Sequence, residues 1–250
     1  MRAILIARMI AAIGFVVVLR PPAFGAATPR VAVFAYHRVD TEIPKDRIGN
    51  QLTITPAQLE AQLRYLQEHH IRAITASELI DRLRRGEPVD HTVVLTFDDG
   101  YLDARTQALP LLERYRAKAT FFVISHTIGT PHHLKWSDIR ALLRAGMEIG
   151  AHGADHLDLS RMTPAEQRAQ ATRCIDTIAR YTGVRPRTYA YPSGRYDAAT
   201  LAVMRAARID AAFTMEYGLV SSLDHPYELP RVRINRSTAA TTFEAALSAL

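Results

Sequence analysis

The chain has 250 residues, a formal net charge of +6 and one cysteine, Cys174. A single cysteine excludes an intrachain disulfide and is most simply a small core residue, and the length suits one α/β domain that builds its core without such staples. Arg2, Arg8 and Arg20 supply three of the charges in a stretch without acids, so the chain from residue 28 carries a dispersed +3. That excludes the concentrated basic face of a nucleic-acid binder.

Residues 1–27 have the layout of a secretory signal peptide. Arg2 and Arg8 precede the apolar run Met9 to Leu19, followed by Arg20-Pro21-Pro22 and the small residues Gly25-Ala26-Ala27. Cleavage is expected after Gly25 or Ala27. The run is shorter than the ~20 residues of a spanning helix, so cleavage is favoured over a retained membrane anchor. The expectation is export to the periplasm or medium, no stable membrane insertion, and a single domain over residues 28–250.

In chain order, Arg30 to Tyr36 reads as a strand ending at His37, then a polar loop to about Asn50. Thr55, Pro56 and Gln58 open a helix to Glu68 with a capping box, and Leu59, Leu63 and Leu66 mark its apolar face. Ile71 to Thr75 is a short strand, and Thr75 with Glu78 caps a helix to Arg85 that stops at Gly86. His91 to Phe97 is a buried strand ending in Asp98-Asp99-Gly100. Leu102 to Arg116 is a helix that Pro110 should kink. Ala119 to Ile124 is a strand, Ser137 caps a helix to Arg144, and Met147 to Ala151 is a strand running into His152. Thr163 and Glu166 open a helix to about Tyr181. Thr188 to Tyr191, Asp210 to Thr214 and Arg231 to Ile234 are strands, with helices at Asp197 to Ala207 and Thr242 to Leu250. Strands separated by helices predict a parallel sheet, closed as a β/α barrel with one unit incomplete. An open doubly wound sheet competes, but no glycine-rich fingerprint follows the first strand.

Chemistry in a barrel belongs at the carboxyl ends of the strands. His37, Asp98-Asp99, His152 and the Pro192-Ser193-Gly194 turn all fall there. His152 and His156 lie four residues apart, so both imidazoles can face one point; with a carboxylate they suit zinc or a similar divalent metal. Such a set leaves coordination positions open, as in a hydrolytic site, where the metal lowers the pKa of a water and polarises a carbonyl. The second aspartate is then free to take the proton of that water.

Thr96-Phe97-Asp98-Asp99-Gly100 and His152-Gly153-Ala154-Asp155-His156 resemble the first two motifs of the polysaccharide deacetylase family of carbohydrate esterases. Tyr189-Ala190-Tyr191-Pro192-Ser193-Gly194 is similar to the third. The resemblance implies a distorted (β/α) barrel of seven to eight parallel strands and metal-dependent removal of N- or O-acetyl groups from a polysaccharide or oligosaccharide. It makes Asp98 the base and Asp99, His152 and His156 the metal ligands, with zinc the expected ion and cobalt or nickel also suited. An N–H near Ser193 would hold the oxyanion, and Tyr191, Pro192, Ser193 and Arg231 are grouped as substrate-binding.

Three positions depart from the family pattern. Gly153 stands where a Ser or Thr is usual, and Ala190 replaces an arginine that orients the base, for which Arg231 is a candidate substitute. The late histidine that serves as acid is missing from Leu229-Pro230-Arg231-Val232-Arg233-Ile234. Tyr36-His37-Arg38-Val39 resembles the early motif of the exopolysaccharide (poly-N-acetylglucosamine) deacetylase branch, whose permuted barrel brings the acid from the first strand; this makes His37 the acid. Tyr101, Trp136 and Tyr191 are candidates for a sugar-stacking floor. Asp103 and Asp155 are expected at the surface or behind the site. His69-His70 close a helix, and His126, His132, His133 and His225 fall in loops as solvated side chains. A non-catalytic carbohydrate-binding protein on the same barrel is the alternative, favoured by the missing arginine. A glycosidase is a poorer one, since it needs two carboxyl groups flanking a sugar bond.

Overall fold

The computed structural model describes residues 30–248, so the expected signal segment and the last two residues of the expected C-terminal helix lie outside the described residues. The chain runs β1 (Ala32–Tyr36), β2 (Arg38–Val39), α1 (Arg47–Leu52), β3 (Thr53–Ile54), α2 (Pro56–Glu68), β4 (Arg72–Ile74), α3 (Ala76–Arg85) and β5 (Thr92–Phe97). It continues through α4 (Leu109–Arg114), β6 (Thr120–Val123), α5 (Trp136–Arg144), β7 (Glu148–Ala151) and α6 (Pro164–Thr182). The last elements are β8 (Thr188–Ala190), α7 (Ala198–Ala206), β9 (Ala211–Phe213), β10 (Val232–Arg233) and α8 (Ala239–Leu247).

The strands pair in the order β10-β1-β5-β6-β7-β8-β9, all parallel, and β4 pairs with the first half of β5. Segment 229–234 closes the ring. Leu229 lies beside β9, with Thr214 N–H donating to its carbonyl at 2.9 Å, while Val232 and Arg233 pair with Phe34 and Ala35 of β1. The result is the distorted β/α barrel expected from the sequence, with the first and last strands as neighbours.

Alternation along the strands divides the core in two. Phe34, Tyr36, Leu95, Phe97, Phe121 and Val123 pack with residues of α2, α4, α5, α6 and α8. Val33, Val94, Phe122, Ala190, Ala211 and Phe213 form a second cluster, completed by Leu79 and Ile80 of α3. The second set fills the barrel, and α3 seals its amino end. There Glu148 at the start of β7 accepts from Ser77 N–H and Ser77 Oγ at 2.8 and 2.7 Å. It also accepts from Thr120 Oγ1 at 2.9 Å and Thr188 Oγ1 at 2.6 Å, so one carboxylate ties α3 to three strands.

Several expected elements differ. The loop to Asn50 contains α1, capped by Asp46, and a small β2–β3 ladder; α1 buries none of its residues, so it carries no apolar period to read. The kinked helix over 102–116 is a wide π turn, Ala104–Ala108, followed by α4: Leu109 N–H donates to Ala104 O just before Pro110, which has no N–H to give. Ser137 is not a cap, because α5 starts at Trp136 and Asp138 accepts from Lys135 N–H at 2.9 Å. Thr75 caps α3, but Glu78 turns away to Arg82 and Arg72 instead of closing the box. α8 starts at Ala239, earlier than Thr242.

Glu148→Ala strands four donors at the sealed end of the barrel. It is expected to cost at least about 3 kcal/mol in urea unfolding; a loss below about 1 kcal/mol would show that this end is held by packing alone.

Candidate active site

Asp98 and Asp99 follow the last residue of β5, and both are buried. Asp98 continues the parity of Val94 and Thr96. Asp99 leaves the strand with φ 72 and Gly100 with φ 74, two left-handed residues in succession. The turn therefore begins one residue before the glycine, and strain at Asp99 aims its carboxylate away from that of Asp98.

β7 delivers His152, and a tight loop returns His156 to the same point. Asp99 Oδ1 lies 3.4 Å from His152 Nε2 and 3.4 Å from His156 Nε2. Gly153 has φ +81, and a β-carbon there would sit 3.3 Å from Pro192 Cγ and Tyr189 Oη. This accords with the departure from the Ser or Thr pattern: the left-handed backbone angle disfavours a side chain, and a β-carbon would be tightly packed. The loop is braced from behind by Gln170 of α6, whose Oε1 accepts from Ala154 N–H and Asp155 N–H at 3.1 and 3.0 Å. Gln170 Nε2 also donates to Asp155 at 2.7 Å. Sequence reasoning missed Gln170; its one signal is a polar residue on the buried face of α6 beside Gln167 and Cys174.

The protonation pattern follows from the partners. His152 Nδ1 donates to the Ala190 carbonyl at 2.7 Å, because a carbonyl can only accept; its Nε2 then presents a lone pair to Asp99. Asp99 Oδ1 is buried and, among the described residues, no group hydrogen-bonds it. One oxygen and two ring nitrogens turned on one point repel unless a proton or a cation lies between them. Burial disfavours charge on both residues, yet their mutual attraction raises His152 and holds Asp99 well below the carboxylate range. The ligand atoms of Asp99, His152 and His156 lie within 4.8 Å of one another. Metal–ligand bonds of about 2.1 Å place neighbouring ligands roughly 3.0–3.4 Å apart, so this donor set fits a divalent ion such as zinc.

Asp98 meets a different partner. Arg231, in the segment that closes the barrel, has a fully buried side chain. Its two terminal nitrogens donate to the two Asp98 oxygens at 2.9 and 2.8 Å. Its Nε donates to Thr214 O at 2.9 Å, and the remaining protons meet Thr96 Oγ1 and Met215 Sδ at 3.1 Å each. All five guanidinium donors are committed. Burial would raise Asp98, but Arg231, with His152 and His37, overcomes it and keeps the carboxyl below its ordinary range. Arg231 thus sits behind Asp98, out of reach of anything in the cleft except through that carboxylate, which corrects its grouping with the substrate-binding residues.

The cleft above these groups has a volume of about 370 Å³ and is lined by His37, Asp98, Asp99, His152, His156, Tyr191 and Ser193. Met215, Arg233, Asn235 and the α1 residues Ile48, Gln51 and Leu52 complete its walls, none of them singled out by the sequence. His37 is half-buried. Burial lowers its pKa, with Arg231 and Arg233 acting the same way and Asp98 and Asp99 opposing. Pro192 is buried beneath the turn that carries Ser193 at φ 55. Tyr191 is buried, its hydroxyl donating to Tyr227 O at 2.9 Å. Trp136 instead stacks on Tyr181 at 4.5 Å and takes no part in the cleft. Asp155 holds His126, Gln170 and Arg173 behind the loop, as expected.

The sequence matches the family profile described as "Polysaccharide deacetylase" over residues 85–212. It is 28% identical over 222 residues to YxkH of Bacillus subtilis strain 168, covering 88% of this chain and 77% of that protein. It is 23% identical over 197 residues to the poly-beta-1,6-N-acetyl-D-glucosamine N-deacetylase of Staphylococcus aureus strain MSSA476, covering 73% of this chain and 68% of the relative. The Streptococcus pyogenes deacetylase PplD in complex with acetate has the same fold, with a TM-score of 0.82 at 24% identity over 88% of this chain and 99% of that one.

Arg231→Met leaves Asp98 buried without a partner. Unfolding in urea should show a loss of about 3–5 kcal/mol, part of which the Asp98→Asn, Arg231→Met double variant recovers; a loss under about 1 kcal/mol would mean that the pair does not hold the barrel seam.

Proposed function

The chain belongs to the polysaccharide deacetylase family, and on that footing we propose that it is a metal-dependent hydrolase that removes acetyl groups from an acetylated polysaccharide. The observation that carries the proposal is the convergence of Asp99, His152 and His156 on one point beside a separately anchored Asp98. The name of the Staphylococcus aureus relative suggests a polymer of N-acetylglucosamine as the first substrate to test. The signal segment expected over residues 1–27 supports an activity outside the cytoplasm.

A divalent ion held by Asp99, His152 and His156, most simply zinc and otherwise cobalt or nickel, would acidify a water and polarise the acetyl carbonyl. The residues of the chain do the rest. Asp98, kept ionised by Arg231, takes a proton from the attacking water. Its lowered pKa weakens it as a base, and the benefit is that it is unprotonated and fixed in orientation at neutral pH. His37 gives a proton to the nitrogen as the C–N bond breaks, so that the amine leaves neutral and acetate is released. Burial beside two arginines makes the protonated ring a stronger acid than free imidazole. Gly194 and Arg195 N–H donate to Tyr191 and Pro192 carbonyls, which leaves the Ser193 N–H as the donor of this turn for the acetyl oxygen. The bidentate Arg231–Asp98 pair also supports turnover over the non-catalytic carbohydrate-binding alternative, which drew its support from a missing arginine.

Acetate release from N-acetylglucosamine oligomers tests the proposal. Chelation should abolish it, zinc, cobalt or nickel should restore it, and His37→Ala should lower kcat by about 10²- to 10⁴-fold. Release that survives chelation would remove the metal, and binding of acetylated glycans without release from any would favour the carbohydrate-binding reading.

A further inference from the structure

The mechanism above leaves one buried carboxylate near the cleft without a task. Asp103 is 6% exposed and lies just beyond Gly100, ahead of the wide turn Ala104–Ala108. Its Oδ1 accepts from Val39 N–H at 3.0 Å and its Oδ2 from Arg38 Nε at 3.3 Å. These two donors belong to the residues that immediately follow His37. Arg38 reaches on to Asp40 at 3.2 Å and lies 5.2 Å from the centre of the Tyr101 ring. On the other side of His37, Tyr36 pairs with Phe97, and its carbonyl accepts from Asp98 N–H at 2.9 Å. The single stretch from Asp98 to Asp103 therefore holds the backbone on both sides of His37.

The location is unfavourable for an anion. Burial lifts the Asp103 carboxyl to about 6, against the pull of the Val39 N–H and Arg38. An aspartate nevertheless offers what an amide cannot, two acceptor oxygens for two donors. β2 is two residues long and pairs only with the equally short β3, so the ladder alone gives weak control over where His37 points.

We propose that Asp103 is a positioning residue, which fixes the His37 ring in the cleft by tethering Val39 and aligning Arg38. It transfers no proton. The proposal rests on the reading of His37 as the proton donor.

Kinetics and zinc binding of Asp103→Ala, Asp103→Asn, His37→Ala and the His37→Ala, Asp103→Ala double variant test it. Asp103→Ala should lower kcat about 10- to 100-fold, the cost of misplacing a catalytic group by an ångström or so, with KM and zinc affinity within about twofold of wild type. Asp103→Asn keeps one acceptor for Val39 and should lose less. In the His37→Ala background, Asp103→Ala should cost nothing further, since the group it positions is gone. An equal loss in both backgrounds, or a matching fall in zinc affinity, would overturn the assignment while leaving His37 as donor. Full activity of His37→Ala alone would instead strike the donor reading, and this one with it. Should Asp103→Ala fail to fold, Asp103→Asn carries the same cycle: its smaller loss must also vanish without His37.

Discussion

The contact on which the rest of the structure depends is the buried ion pair between Arg231 and Asp98. It joins the end of β5 to the segment that closes the barrel, so the fold and the chemistry share one interaction. Desolvating two charges is costly, and a buried pair persists only when the remaining donors and acceptors are satisfied. Here Thr96, Thr214 and Met215 take up the guanidinium protons that Asp98 leaves, and the Phe122 ring lies 5.8 Å away. The barrel seam therefore carries a buried polar contact beside the strand hydrogen bonds that Leu229 makes with β9 and that Val232 and Arg233 make with β1.

That contact also explains how two neighbouring carboxylates come to differ. Along a continuing strand Asp98 and Asp99 would face opposite ways. Asp98 keeps the strand's parity and meets Arg231; Asp99 breaks it with a left-handed backbone and meets the two histidines. His156 and Ser193 line the same cleft, each with φ 55, so three of the non-glycine residues in the left-handed region gather at one site. Such conformations cost of order 1–3 kcal/mol each and survive where the surroundings over-determine them. Gln170 behind the histidine loop and the Tyr191–Arg195 turn bonds supply that support.

Much of this was legible in the sequence because it rests on local rules. Apolar runs marked the strands, and the capping boxes at Thr55 and Thr163 started helices where the structure has them. Strand-end placement singled out His37, Asp98, Asp99 and His152, and the four-residue spacing added His156; all five line one cleft. What could not be read depends on distant partners or on the absence of a pattern. Arg231, offered both as the base-orienting arginine and as a substrate-binding residue, lies 133 residues from Asp98, and nothing near it in the chain decides between the two. α1 buries no residue and so leaves no period, although it walls the cleft. Asp103 is expected at the surface or behind the site, and the sequence does not choose between them because its partners, Arg38 and Val39, are more than sixty residues earlier. Gly153 looked like a defect in a motif until its backbone angle and its neighbours were known.

The division of labour between the two aspartates is most directly tested by calorimetric zinc titration of Asp98→Asn and Asp99→Asn beside acetate release. The account predicts that Asp98→Asn binds one zinc per chain with near wild-type affinity and releases no acetate, whereas Asp99→Asn loses the zinc itself. Loss of zinc binding in Asp98→Asn, with Asp99→Asn still binding, would contradict it.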